Sequence, residues 1–483
     1  MSTLKKLAGQ TAIYGGSTII GRLLNYFLVP LHTWAFTTDQ FGSISLLYSY
    51  VAFFIVLLMF GMETTFFRFV NRAEDKEKTF NQAFSIVLVV NAIILVTLLT
   101  FSQSIANWLN HPEFKRYIIW FAFILVFDAV SSMLMARLRF QNRAKKFALV
   151  QLSSIATNIV FNLIFIFFFL KNNESFGIGY IFLANLLASL IKPILLYKEI
   201  LNFKFIWDKV LAKTMVIFAI PLVIGGFAGI VNELIDRILL SKMLVEPNGI
   251  KYAESQVGIY SANYKLSILI TLFIQAFRYA AEPFFFAQEQ NKDKTKIYSK
   301  VMTYFVIVVT LIFLVISLNL PIFKWFITKP EYWEGLKVVP ILLMANIFLG
   351  IYYNQSIWYK LADKTKYGAY ISIGGALITL SLNLVLIPII GYVGSAITTL
   401  VVYFSMMVAS HYLGKKHYPI KYNLRKIGLY LFSALLLFGL SLLINSDIIT
   451  FTWSSFLING CIILLFIGLI LFIERPFQNL KKR

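Results

Sequence analysis

The chain is short of charge and nearly without cysteine, and each shortage excludes something. Of its 483 residues only 14% are Asp, Glu, Lys or Arg, while 59% are hydrophobic and the mean hydropathy is +0.76. A water-soluble domain must cover a large outer shell with polar groups, so this balance excludes an ordinary soluble enzyme. The one cysteine, Cys461, has nothing within the chain to pair with, which excludes a disulfide-stapled fold. The four histidines (His32, His111, His411 and His417) are scattered without metal-ligand spacing, so no metal is expected. Also missing are a Gly-rich loop ending in Lys-Ser or Lys-Thr, a Gly-x-Ser-x-Gly elbow and a Cys/His nucleophile pattern. Neither bound ATP nor any other cofactor is therefore expected, and transport energy would come from gradients or coupled reactions.

What the chain has instead is a succession of apolar runs, each near the roughly 20 residues that a helix needs to cross a bilayer. They fall at 10–31, 41–62, 80–101, 117–136, 147–170, 177–197 and 214–243, then at 257–285, 301–320, 336–358, 367–390, 391–413, 427–444 and 454–473. The runs are continuously apolar rather than alternating, which predicts helices and not a barrel. The first run, interrupted by Gly9, Gln10, Gly15, Gly16 and Arg22, reads as a retained helix rather than a cleaved signal.

The formal charge of +22 is explained by topology before nucleic acid need be considered, and no nucleic-acid partner is expected. Counting Lys and Arg, the N-terminus, alternate connections and the C-terminus hold 31, the intervening connections 6. That asymmetry predicts both termini in the cytoplasm and an even number of spans, about fourteen, in a bacterial cytoplasmic membrane.

An internal repeat is also legible. Gln40, Gly42, Ser45 and Tyr48 recur as Gln256, Gly258, Ser261 and Tyr264; the Asn162-Leu163 start of one stretch recurs as Asn383-Leu384; Gly177-Ile178-Gly179 is echoed by Gly391-Tyr392-Val393-Gly394. The spacing, 214 to 221 residues, covers six spans, so the repeats share one orientation. The expected organisation is a six-helix bundle at 1–212, a second at 213–413, and two further helices with a tail at 414–483. A cleft between such repeats can open alternately to either side.

Ionisable groups inside apolar spans should face a cavity or a partner, because a charge at the bilayer centre costs roughly 2.5–3.5 kcal/mol even on the lenient insertion scale. Arg22, Arg237, Lys265 and Arg278 are the candidate cationic cavity residues. Arg22 alternatively sits in a buried ion pair, Arg237 pairs with Glu233, and Arg278 belongs to the interface with Glu282. Asp128 is a candidate ion-coupling site or a paired structural carboxylate. Glu63 and Arg68 read as interfacial. Pro221, Gly225 and Gly226 make the seventh span a candidate hinge, with close helix packing as the alternative.

Several of these residues also carry a resemblance. Arg22-x-x-Asn25-x-x-x-x-Pro30-Leu31, Asp39-Gln40-Phe41-Gly42, Gly61-Met62-Glu63 with Arg68-Phe69, Asp236-Arg237-x-x-Leu240 and Gly258-Ile259-Tyr260-Ser261 resemble the Wzx-like polysaccharide flippase branch of the multidrug/oligosaccharidyl-lipid/polysaccharide (MOP) exporter superfamily. The resemblance covers essentially the whole chain. It implies a MATE-like fold and a flippase moving undecaprenyl-diphosphate-linked oligosaccharide to the outer leaflet. Membrane lipids and polysaccharide assembly proteins are the further partners it implies. A diphosphate suits arginine, whose planar fork matches phosphate oxygens. The alternatives are an ion-coupled multidrug or metabolite exporter of the same superfamily, and a membrane-embedded glycan polymerase or ligase, against which the absence of a long outer loop weighs.

Overall fold

The computed structural model describes residues 3–173, 176–289, 291–445 and 449–474, and among them there is no β-strand. The C-terminal tail expected in the cytoplasm, residues 475–483, lies outside the described residues. Among the described residues eleven helices are long and apolar enough to cross a membrane, and the protein is a multi-pass membrane protein. By contact the chain divides into Met1–Glu254 and Ser255–Arg483.

The first unit opens with α1 (Thr3–Tyr26) and α2 (Leu28–Ala35). Pro30 has no N–H and its ring crowds the carbonyl four residues earlier, so the helix breaks at Phe27. α3 (Thr38–Met59) starts at a capping box in which Thr37 N–H donates to Gln40 Oε1 at 3.2 Å. It ends where Phe60 (φ 46°) and Gly61 (φ 63°) take left-handed conformations, and α4 (Met62–Val70) follows. α5 (Lys76–Thr100), the short α6 (Ser102–Trp108) and α7 (Lys115–Phe140) come next. α8 (Ala144–Ile164) ends in a wide turn over Phe165–Phe169, and α9 (Gly179–Leu195) leads through α10 (Tyr197–Leu201) to α11 (Lys209–Asn248). Asp208 caps α11, accepting from the N–H groups of Val210 and Leu211 at 3.1 Å each.

α11 packs on α3, α4 and α5, which is why it belongs to the first unit. The expected boundary at 212 thus differs from the contact boundary by one long helix. A core of Met62, Phe66, Phe80, Phe84, Met133 and Leu134 joins α4, α5 and α7. Cationic side chains brace its rim: Arg137 pairs with Glu77 and lies over the Phe80 ring, and Arg139 reaches Glu63 at 2.6 Å. Arg68 covers Phe218 at 4.1 Å, so Glu63 and Arg68 have separate partners.

The second unit takes most of α12 (Ile250–Ala287), then α13 (Lys294–Leu318), α14 (Leu320–Phe323), α15 (Val339–Gln355) and α16 (Ile357–Leu361). α17 (Lys366–His417), α18 (Leu424–Ile444) and α19 (Trp453–Glu474) complete it. α17 is two helices in one. Ile390 and Gly391 leave helical geometry, Gly391 with φ 56°. A Cβ on Gly394 would meet the Leu386 carbonyl oxygen at 2.7 Å. Eight residues of straight helix would separate them by about 12 Å, so the chain folds back there. α15 packs against α17 and α13, while α13 also receives α18 and α19.

Lipid gives helices little hydrophobic reason to associate, so polar ties and small residues matter more here than in a soluble bundle. Asn263 Nδ2 of α12 donates to the Ile259 and Tyr332 carbonyls at 2.8 Å each, and Asn459 Nδ2 of α19 donates to the Leu318 carbonyl at 2.5 Å.

Candidate functional site

Arg22 lies in the last turn of α1, just ahead of the break at Phe27, and is exposed. It is therefore near a helix end, where a single span over 10–31 would have placed it mid-helix. Behind it runs a ladder that sequence reasoning missed. Asn158 Nδ2 donates to Asn25 Oδ1 at 3.1 Å; Asn162 Nδ2 donates to Asn158 Oδ1 at 3.1 Å; and the Asn162 carbonyl oxygen Oδ1 meets His32 Nε2 at 2.8 Å. These amides tie α1 and α2 to α8 through an apolar span, fixing the segment that presents Arg22. The available signal was Asn158 and Asn162 at i,i+4 in the fifth span, with Asn25 and His32 seven apart.

Asp128 of α7 is paired. Lys192 of α9 approaches its Oδ1 at 2.9 Å, with 31% of the Asp128 side chain and 20% of the Lys192 side chain exposed. Lys192 escaped notice as an intramembrane cation. Asp128 thus has a cation of its own.

Arg237 of α11 is buried, donating to Asp236 Oδ1 at 3.0 Å and to the Glu233 carbonyl at 2.9 Å. Its ionic contact is with the adjacent Asp236 rather than with the Glu233 carboxylate expected from i,i+4 spacing. Lys265 is half-buried on α12. Arg278 lies thirteen residues further along the same helix, about 20 Å away at 1.5 Å per residue, so the two cannot grip one phosphate. Arg278 covers the Tyr353 ring at 4.2 Å, and Glu282 is taken by Lys360 at 2.6 Å.

The candidate hinge sits in tight packing. α11 is helical through Pro221, Gly225 and Gly226. A Cβ on Gly226 would come within 3.0 Å of Val56 Cγ1, and one on Gly61 would come within 3.2 Å of Leu222 Cβ and 3.3 Å of the Ala219 carbonyl. The break between α3 and α4 thus presses its glycine onto α11 one residue past Pro221.

On the face expected to be outer, His111 stands between two carboxylates. Nδ1 meets Glu113 at 2.7 Å and Nε2 meets Glu254 at 2.8 Å, with the ring stacked on Phe114. Burial pulls the imidazole pKa down, but the hydrogen bonds to Glu254 and Glu113 outweigh it and leave the value raised above 6.5. Two acceptors call for two N–H donors, the imidazolium form.

Residues 7–288, more than half of the chain, match the sequence model of the family described as polysaccharide biosynthesis protein. The chain belongs to that family. A protein of the Lsg locus of Haemophilus influenzae is 20% identical over 292 residues, 59% of this chain and 68% of that protein. The fold of this polysaccharide biosynthesis protein is shared with solved transporters. Lipid II flippase MurJ in an inward closed conformation superposes with a TM-score of 0.74 at 13% identity, covering 95% of this chain and 98% of MurJ. An inward-facing multidrug resistance MATE family transporter of the MOP superfamily superposes with a TM-score of 0.64 at 13% identity, covering 86% of this chain and 98% of the other. The MATE-like fold implied by the motifs is borne out, and so is membership of a polysaccharide biosynthesis family.

Proposed function

We propose that this family member is a flippase for undecaprenyl-diphosphate-linked oligosaccharide, carrying it from the cytoplasmic to the outer leaflet of a bacterial cytoplasmic membrane by alternating access. The observation that carries the reading is Arg22: an exposed guanidinium near the end of α1, a helix tied to α8 by the Asn25–Asn158–Asn162–His32 ladder, inside the segment that matches the polysaccharide family. A fork carried on a tied helix suits a diphosphate, because a held backbone loses less freedom when the anion arrives.

In this reading the chain crosses fourteen times with both termini in the cytoplasm, two six-helix repeats followed by two extra helices. Arg237, Lys265 and Arg278 supply further positive potential along the path. Asp128 acts in coupling by giving up Lys192, and the Pro221–Gly225–Gly226 segment bends when its contacts with Val56 and Gly61 part. The driving force is not ATP bound to this chain, and polysaccharide assembly proteins receive the product.

Deleting the gene and analysing lipid-linked intermediates tests the function. The complete oligosaccharide-lipid should accumulate on the cytoplasmic face and clear on complementation. Arg22→Ala should reach wild-type abundance yet fail to clear it, while Arg22→Lys clears part. Normal export by well-expressed Arg22→Ala would refute the role given to Arg22; normal export in the deletion strain would refute the function itself.

A further inference from the structure

The second unit holds a cleft whose chemistry is unbalanced. It is a small, open cleft between the last turns of α12 and the α15–α16 junction. Arg278, Glu282, Asn354 and Lys360 give it polar groups; Phe277 and Phe285 give it an apolar wall. Lys360 and Glu282 neutralise one another at 2.6 Å. Arg278 has no carboxylate partner among the described residues, and its guanidinium is stacked 4.2 Å from the Tyr353 ring centroid. Stacking occupies the faces of the guanidinium and leaves the in-plane N–H donors available. Asn354 is 4% exposed, yet its Nδ2 has no hydrogen-bond partner among the described residues. A buried amide donor left unmade costs free energy, so a lining donor of this kind is poised for an acceptor.

The charges sum to one uncompensated cation, with two kinds of donor and an aromatic wall. α12 has 38 residues and so runs about 57 Å, well beyond the ~30 Å hydrocarbon core. Arg278 lies nine residues from its C-terminal end, about 13 Å, where a centred ~30 Å core would meet the headgroups. The expected topology makes this the cytoplasmic side.

We infer that this cleft binds the phosphate group of an anionic lipid, with Arg278 and Asn354 donating to the phosphate oxygens, Phe277 and Phe285 contacting the start of the chain, and Glu282 holding Lys360 in reserve. The ligand chemistry, a lipid-borne phosphate, has two sources: the diphosphate of the transported lipid, where the inference rests on the flippase reading, and the bulk acidic phospholipid of the membrane, where it does not.

Native mass spectrometry of the purified full chain in neutral detergent, titrated separately with undecaprenyl diphosphate, phosphatidylglycerol and phosphatidylcholine, tests the cleft. Wild type should bind at least one of the two anionic lipids over phosphatidylcholine. Arg278→Gln should weaken that binding about tenfold, as expected for losing hydrogen bonds from a charged donor. Arg278→Lys should recover part, and Asn354→Leu should weaken binding about threefold. Glu282→Gln should strengthen it, because Lys360 is released to the anion, and a misfolded protein cannot produce a gain.

Loss with undecaprenyl diphosphate but not phosphatidylglycerol makes the cleft a cargo site; the reverse makes it a membrane-lipid site; either supports the inference. Binding unchanged by Arg278→Gln and Asn354→Leu, or no preference of wild type for either anionic lipid, overturns it. The flippase reading is judged separately by accumulation of the lipid-linked glycan, so either can fail alone.

Discussion

Replacing Lys192 by Met removes the cation that faces Asp128 and leaves a carboxylate in an apolar span. At 2.9 Å and an effective dielectric near 20, the direct attraction in the pair is about 6 kcal/mol. Desolvation of both groups offsets most of that, and the partial exposure of both side chains lets water screen the rest. A completely buried broken pair costs about 3–5 kcal/mol, and a lone intramembrane carboxylate about 3 kcal/mol on the insertion scale. With the screening, Lys192→Met should cost about 2 kcal/mol, a shift of roughly thirtyfold in the folding equilibrium. Asp128→Asn should cost a similar amount by stranding the ammonium. The double variant Asp128→Asn/Lys192→Met should regain most of the loss, because an amide and a thioether carry no charge to desolvate. Membrane abundance and heat-induced aggregation of the three variants, measured alongside export, read the cycle. Single variants as stable as wild type, or a double variant no better than the singles, would refute the structural pairing. A stable double variant that exports nothing would assign Asp128 to coupling.

Gly61→Ala should destabilise the first unit by about 2 kcal/mol, combining left-handed strain with the approach to Leu222 and Ala219, and a thermal-unfolding shift would show it. Because the His111 pKa is raised, its ion pairs add stability that is complete below pH 6.5 and fades as pH rises through the higher folded value. His111→Gln should therefore flatten the stability profile on that side, and an unchanged profile would dismiss a stabilising role for these ion pairs. In a Cys461→Ser background, cysteines at Arg143, Lys294 and Lys416 should be labelled from the cytoplasm, and those at Asp39, Asn173 and Asn248 from outside. Labelling of position 248 from the cytoplasm alone would overturn the six-plus-six topology.

Helix positions were legible because an apolar run near bilayer length has few other stable outcomes in lipid, and the fold-back between 390 and 391 was legible because Gly391 interrupts such a run. The candidate site was less so. Lys192 lies 64 residues from Asp128, and only the packing of α7 against α9 makes them partners. The amide ladder spans more than 130 residues, so Asn162 entered the sequence reading only as part of a repeat. Pro221 and the glycines after it read as flexible because composition records what a backbone tolerates, not what presses on it; Val56 and Gly61 supply that pressure. Phe60 is the reverse case, a bulky residue in a left-handed conformation at a bend that nothing in its own identity announces.

The reversal in α17 bears on how the protein is made. From Tyr367 to Gly414 there is no Asp, Glu, Lys or Arg, and the two arms meet at Ile390–Gly391 without an intervening loop. A ribosome-bound chain delivering this stretch offers the insertion machinery one apolar hairpin with no charged cap to drag across. Its arms can enter together, the second never waiting exposed for the first to be anchored. Any engineered tag between them would turn that single event into the translocation of a polar loop, so biogenesis, rather than the finished protein, sets how little this junction tolerates.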